Sequence, residues 1–230
     1  MEPSPDISWY RAVEGALGVR PLGHQPLSGG CIAPVYRLDL QNGRKAVAKL
    51  GAADSYGGLM VEGGMLEYLA RESTLPVPEV YLKTETLLLM EFLPGTSPID
   101  ARAEEHAGAL LAGLHNILGP DYGRLGFGFE NDTVIGGLRQ PNPWTTSWVE
   151  FFRDQRLLYM AREAFDAGRM DLPLLQRIDR LADQLPDLID EPLHPSLIHG
   201  DMWSGNVIVD QGHISGFVDP AIYYADAEIE

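Results

Sequence analysis

Cysteine is nearly absent from this chain, with Cys31 the single one in 230 residues. That excludes an internal disulfide framework, so stability has to come from packing. Basic side chains are also scarce. There are 17 Lys and Arg against 33 Asp and Glu, a formal net charge of −16. A surface this acidic repels polyanions, which argues against nucleic acid as a partner and favours neutral or cationic ligands; solubility alone would explain the acidity equally well. No apolar stretch is long enough for a signal-peptide core or a membrane span, so no membrane partner is expected and the expected address is cytoplasmic. No internal repeat or low-complexity linker is evident. The chain is long enough to bury a substantial core, as one two-lobed domain or two small ones.

What the chain does carry is the run Leu197-Ile198-His199-Gly200-Asp201-Met202-Trp203-Ser204-Gly205-Asn206, followed at Asp219 by a further carboxylate. Asn206 opens the apolar segment Val207-Ile208-Val209, which turns at Asp210-Gln211-Gly212-His213 and returns through Ile214 to Val218. The two arms read as an antiparallel hairpin. Folding it brings Asn206 beside Asp219, on a ladder whose paired positions lie roughly 5 Å apart. An amide oxygen and a carboxylate so placed can grip a hard cation such as Mg²⁺ while leaving sites for phosphate oxygens and water. Asp201, on the loop before the strand, is placed to accept a proton from a hydroxyl aimed at a γ-phosphate of ATP. A bare Asp-x4-Asn also occurs as loop-end decoration; the intact string and the added Asp219 favour phosphoryl transfer.

The first ninety residues read as a sheet-rich lobe. Leu27-Ser28-Gly29-Gly30-Cys31-Ile32 leads into Val35–Leu40, an Asn-Gly turn, and Lys45–Leu50. A glycine loop in that position, Gly29 to Cys31, lets backbone N–H groups approach phosphates, although a Gly-Gly turn between strands is often only a turn. Strand alternation sets Lys49 on the same face as Val47, a cation for phosphates beside an apolar cover for a purine. In a helix expected from about Gly57 to Glu72, Glu62 shares the apolar stripe of Leu59, Leu66 and Leu69. Lys49 is its expected partner; Glu67, or no glutamate, is the other reading. Cys31 is either an exposed thiol that could bridge two subunits in a homodimer or a small buried one.

Beyond residue 92 the pattern is helical. Ser97-Pro98-Ile99-Asp100 reads as the start of a helix ending near Gly119-Pro120, Ser147-Trp148-Val149-Glu150 as a capping box for a helix ending near Gly168, and Asp171 as the start of a third that lasts until Pro186. The expected fold class is therefore α+β with two lobes: a small N-terminal antiparallel-sheet lobe over 1–92 that binds nucleotide, and a larger, mainly helical C-terminal lobe over 93–230. The stretch Asp121 to Pro143 is too long for a simple helix connection and is a candidate functional loop.

His-Gly-Asp-x-Trp-Ser-Gly-Asn with Asp219-Pro220-Ala221-Ile222-Tyr223-Tyr224 resembles the fructosamine kinase (ketosamine-3-kinase) family, within the aminoglycoside phosphotransferase-like kinases. The resemblance extends through Gly29-Gly30-Cys31-Ile32, Ala46–Leu50, the Glu62 helix, Phe127-Gly128-Phe129 and Gln140-Pro141-Asn142-Pro143-Trp144. Ala33 and Ala225 depart from it, where the family usually has a polar residue and a glycine. The resemblance implies a protein-kinase-like fold with Glu91, Phe92 and Leu93 as an adenine-binding hinge and Met90 beside it. It also implies an acceptor side formed with Asn131, Asp132, Gln140, Asn142 and Trp144; Trp144 could equally pack the loop, and Trp203 could line the pocket or brace the catalytic loop. The implied reaction transfers the γ-phosphoryl of ATP to the C3 hydroxyl of a free or protein-linked ketosamine. Two alternatives stay open at this point, a kinase for another amino-bearing molecule such as an aminoglycoside or choline, and a nucleotide-binding module without turnover. Resembling proteins continue past Asp226–Glu230 through further helices, so the C-terminal lobe is expected to be incomplete.

Overall fold

Leu87 to Met90 is apolar at every position, and Ala46 to Leu50 is apolar except at Lys49. That is the pattern of strands covered on both faces. In the computed structural model, which describes residues 9–27, 33–52, 57–95, 98–119 and 126–230, these are the inner strands of a five-stranded antiparallel sheet ordered β1-β2-β3-β5-β4. The strands are β1 (Pro21–Pro26), β2 (Val35–Leu40), β3 (Lys45–Leu50), β4 (Val80–Lys83) and β5 (Leu87–Glu91). Helix α1 (Trp9–Leu17) contributes Val13 to a core with Leu38, Ala46, Ala48, Leu87 and Leu89. Helix α2 (Gly58–Glu72) packs Leu59 and Leu66 against the opposite residues of the same strands, Val47, Leu88 and Met90. Period-two alternation thus sorts β3 between two cores and leaves Lys49 on the α2 side.

The two outer strands and α1 were not expected from the sequence. β1 contains two prolines and a glycine, which read as turn residues, but at a sheet edge proline gives up no ladder bond. β4 is only four residues long.

The chain packs as two discontinuous units. One is drawn from Met1–Gly113, Val134–Leu138 and Asp201–Ala221, the other from Leu114–Thr133, Arg139–Gly200 and Ile222–Glu230. Neither ends at the 92/93 division expected from the sequence. The first unit contains the expected hairpin, β9 (Val207–Asp210) and β10 (His213–Phe217), paired Asp210 to His213 and Val207 to Phe217. Gln211 and Gly212, at φ of 50° and 77°, form its two-residue turn, the left-handed geometry that matches strand twist. Helix α3 (Ala101–His115) starts later than expected: its cap is Asp100, whose carboxylate accepts from the Ala103 N–H at 2.9 Å, and Ser97 lies outside the described residues.

In the second unit, β8 (Ser196–Ile198) pairs with β11 (Tyr223–Ala225). Ser147 caps α4 (Trp148–Phe151) by accepting from the Glu150 N–H at 3.1 Å. The same helical run then loosens into a π-helical stretch, Phe152–Leu158, before α5 (Tyr159–Asp166). Asp171 caps α6 (Leu172–Gln184). Within the expected functional loop, β6 (Thr133–Ile135) and β7 (Leu138–Gln140) form a short hairpin whose tip belongs to the first unit. No helix among the described residues is long and apolar enough to cross a membrane.

Leu66 is fully buried between α2 and the sheet. Its replacement by alanine should cost about 3 kcal/mol, read as a lower denaturant midpoint of the first unit. An unchanged midpoint would mean that this core does not hold α2 in place.

Candidate active site

The α2 stripe of Leu59, Glu62, Leu66 and Leu69 buries one carboxylate facing β3. Lys49 meets it. Its Nζ donates to Glu62 Oε1 at 2.9 Å and Oε2 at 2.8 Å, and to Asp219 Oδ1 at 2.8 Å. An ammonium has three N–H donors, and all three are engaged. Lys49 and Glu62 are each only 8% exposed. Glu67, the other candidate, pairs instead with Lys83.

Burial works against the Lys49 charge, but Glu62 and Asp219 outweigh it and raise its pKa. Burial also pushes Glu62 up to about 7, over the opposing pull of Lys49, with the Asp219 charge adding to the rise. One cation serves two carboxylates, of which Glu62 is the more deeply buried.

Past β10, the Val218 N–H donates to the Asn206 carbonyl at 3.0 Å, which extends the ladder and sets Asn206 next to Asp219. Asp219 has a φ of 54°, a left-handed conformation rare outside glycine and tolerated best by Asp and Asn. Asn206 is buried, and its Nδ2 donates to the Asp201 carbonyl at 2.8 Å and to Asp201 Oδ2 at 2.9 Å. Two acceptors on Nδ2 fix the amide orientation and leave Oδ1 as the atom available to a cation. Among the described residues no three His, Cys, Asp or Glu converge as a metal cage. An amide oxygen with a neighbouring carboxylate therefore suits a hard ion that takes its remaining ligands from phosphate and water, as Mg²⁺ does.

Lys49, Glu62, Asp201, Asn206 and Asp219 line one cavity of about 370 Å³. Its remaining lining includes Leu59, Trp203 and the hairpin tip Val134–Gly137. Trp203 does both things considered for it: it lines the cavity and braces the loop. A Cβ on Gly205 would stand 2.3 Å from its indole, so the ring packs directly on the backbone there.

The residues expected at the adenine do not line this cavity. Val47 and Met90 are buried in the α2 core, and Glu91, Phe92 and Leu93 follow half-buried, with Lys45 Nζ 5.4 Å from the Phe92 ring centre. Gly29, Gly30 and Cys31 lie outside the described residues.

Five residues expected on the acceptor side are absent from this lining and are engaged within the second unit. Gln140 and Asn142, each 2% exposed, both donate to Thr133 Oγ1 at 2.9 Å. Asn142 also donates to the Asn131 carbonyl at 3.1 Å, and Asp132 accepts from the Asn142 N–H and pairs with Arg139. Trp144 stacks on Tyr224 at 6.0 Å. Their polar atoms close a brace because the loop folds back on itself as a hairpin.

Arg156, unforeseen in the sequence, completes that brace. Its Nη2 donates to Asn142 Oδ1 and its Nη1 to the Pro141 carbonyl at 2.8 Å, while its guanidinium lies 3.9 Å from the Tyr223 ring centre and 4.6 Å from that of Phe151. Burial lowers the Arg156 pKa and raises that of Tyr223.

Glu230 was also missed. Its side chain, 1% exposed, accepts from the Gly200 N–H at 2.7 Å, the His199 N–H at 3.2 Å and His115 Nε2 at 2.8 Å. It thereby holds the two residues that precede Asp201 in the chain. Burial would raise its pKa, but the His115 hydrogen bond, the backbone N–H groups and the neighbouring His199 hold it below the ordinary 4.5.

The sequence model of the fructosamine kinase family matches residues 12–230. A probable ketoamine kinase from Synechocystis sp. is 33% identical, over 89% of this chain and 68% of the relative. The chloroplastic protein-ribulosamine 3-kinase of Arabidopsis thaliana is 30% identical, over 100% of this chain and 70% of its own. A crystal structure from Thermobifida fusca, provisionally assigned as a fructosamine-3-kinase, superposes with a TM-score of 0.82 at 28% identity, covering 96% of this chain and 75% of that one.

A carboxylate with a lowered pKa stabilises the fold above its unfolded pKa, and that contribution is lost as pH falls through its folded value. Glu230→Gln should therefore lower the melting temperature most near neutral pH, and the gap to the parent should close as pH drops below about 4.5. A gap that stays constant down to acid pH would contradict an ionised Glu230.

Proposed function

The chain belongs to the fructosamine kinase family, and from that premise we propose that it phosphorylates the C3 hydroxyl of ketosamines as a Mg²⁺-dependent kinase. It is an ATP-dependent phosphotransferase acting on ketosamines as a class. The observation that carries the finer reading is the convergence of Lys49, Asp201, Asn206 and Asp219 on one cavity.

In this reading Asp201 orients the sugar hydroxyl and takes its proton as the oxygen bonds to the γ-phosphorus and the bond to ADP breaks. Lys49 turns one N–H from Asp219 to the α and β phosphates, while Glu62 keeps the other two. Asn206 Oδ1 and Asp219 are the proposed Mg²⁺ ligands, and the ion would offset phosphate charge. Adenine would lie against Val47 and Met90, with the backbone of Glu91–Leu93 at its edge and the Gly29–Cys31 loop over the phosphates. The sugar 3-phosphate is unstable: elimination expels inorganic phosphate from C3, and hydrolysis of the resulting C1 imine releases the amine and a 3-deoxyosone, which makes the activity one of deglycation; cytoplasmic residence belongs to the same proposal. An aminoglycoside acceptor fits less well. Its several ammonium groups need several carboxylates, and those lining this cavity, Glu62, Asp201 and Asp219, are already assigned.

Phosphorus NMR of a ribulosamine with Mg-ATP should show a sugar 3-phosphate that decays as free amine appears. Asp201→Asn should abolish that signal, with kcat falling about a thousandfold or more, and keep nucleotide affinity. Phosphorylation of choline or an aminoglycoside with no ketosamine turnover would overturn the acceptor assignment. For the lysine clamp, Lys49→Met and Glu62→Gln should be strongly non-additive in kcat/KM. Independent losses would sink the pairing as a functional unit.

A further inference from the structure

Building on the ketosamine reading, we propose that the tip of the β6–β7 hairpin and the indole of Trp203 are two walls of an apolar subsite. It takes the carbon skeleton of the amine that carries the sugar, and it favours aliphatic and aromatic amines over small polar ones.

The cavity lining is chemically mixed: Lys49, Glu62, Asp201, Asn206 and Asp219 are charged or polar, whereas Val134–Gly137, Leu59 and Trp203 carry no charge. Trp203 is 52% exposed, although its ring is already seated on Gly205. An aromatic surface fixed on one side and open on the other, beside the proposed base, is a platform for an apolar ligand.

The hairpin is built to present its tip. Gly136 and Gly137, at φ of 56° and 76°, form a two-residue left-handed turn that side chains rarely enter, so the tip offers backbone and the half-buried Val134 and Ile135. The strands are only three residues each, too short to hold a hairpin by themselves. Their shape is secured at the base by the buried bonds of Gln140 and Asn142 to Thr133. Buried polar groups fully bonded in this way specify one conformation. The acceptor-side amides expected from the sequence thus serve the acceptor indirectly, through the hairpin they shape.

Substrate chemistry supplies the occupant. In a ketosamine the amine nitrogen sits on C1, separated from the reacting C3 hydroxyl by the C2 carbonyl carbon alone between C1 and C3. With that hydroxyl on Asp201, the skeleton of the amine must begin within the same cavity, where the uncharged lining residues are the surface suited to it.

The test compares kcat/KM for two ketosamines of one sugar, carried on benzylamine and on glycine. The parent enzyme should prefer the benzylamine adduct by about tenfold or more, as an apolar pocket of this size discriminates. Ile135→Ser and, separately, Trp203→Ala should each bring the ratio close to one, with the milder Ile135→Ala between. A parent ratio near one, or a ratio that neither wall changes, overturns the subsite. A second arm does not depend on turnover: 4-fluorobenzylamine followed by ¹⁹F NMR in the presence of Mg-AMP-PNP should bind the parent saturably and bind each variant weakly. Absence of saturable binding to the parent overturns the subsite. Saturable binding that both variants weaken, with neither ketosamine phosphorylated, keeps the subsite and overturns the ketosamine reading instead.

Discussion

An ammonium buried in a sheet has to be surrounded by its own counter-charges, and the arrangement around Lys49 follows from that requirement. Three N–H donors need three acceptors at hydrogen-bond distance; Glu62 supplies two and Asp219 the third. β3, α2 and the segment after β10 are thereby tied at a single nitrogen. Removing Lys49 from this cluster would leave the Glu62 carboxylate buried without a counter-charge, at a typical cost of about 3–5 kcal/mol. With Asp201 included, the lining carries one positive and three negative side chains. A bare polyphosphate would be repelled by that balance, which is the electrostatic reason why the proposed reading has nucleotide arriving as its metal complex.

Much of this was legible because it is local or periodic. The β9–β10 hairpin follows from the apolar run Val207-Ile208-Val209 before a turn at Asp210–His213, and the Lys49–Glu62 pair from a strand period of two meeting a helix stripe of 3.6. Prolines hid β1, since sequence does not reveal that a strand will be at an edge. The clamp at Glu230 joins residues some thirty positions apart through backbone N–H groups, and no residue type marks a backbone donor.

Arg156 and the 131–144 loop show a different limit. A polar residue in sequence announces hydrogen-bonding capacity but not its direction. Gln140 and Asn142 have the right chemistry for sugar hydroxyls and use it on Thr133 instead. Among the described residues no carboxylate lies at salt-bridge distance from Arg156; its charge lies over Tyr223 and Phe151, and its Nη groups donate to the Pro141 carbonyl and Asn142 Oδ1. Direct charge pairing, the usual guide to a buried arginine, therefore does not point to it. The π-helical stretch that carries it leaves no clear sequence mark either.

The Glu230 clamp also has a temporal side. His199 and Gly200 are made before the carboxylate that fixes them, because thirty residues separate Gly200 from Glu230. At a synthesis rate of about 5–20 residues per second, the loop leading to Asp201 spends seconds on the ribosome without its anchor. The nascent chain can complete the Lys49 cluster only after Asp219 emerges, and it can clamp His199 and Gly200 only after Glu230 does. The residues leading to the proposed catalytic aspartate therefore wait for about thirty further residues before their clamp is available.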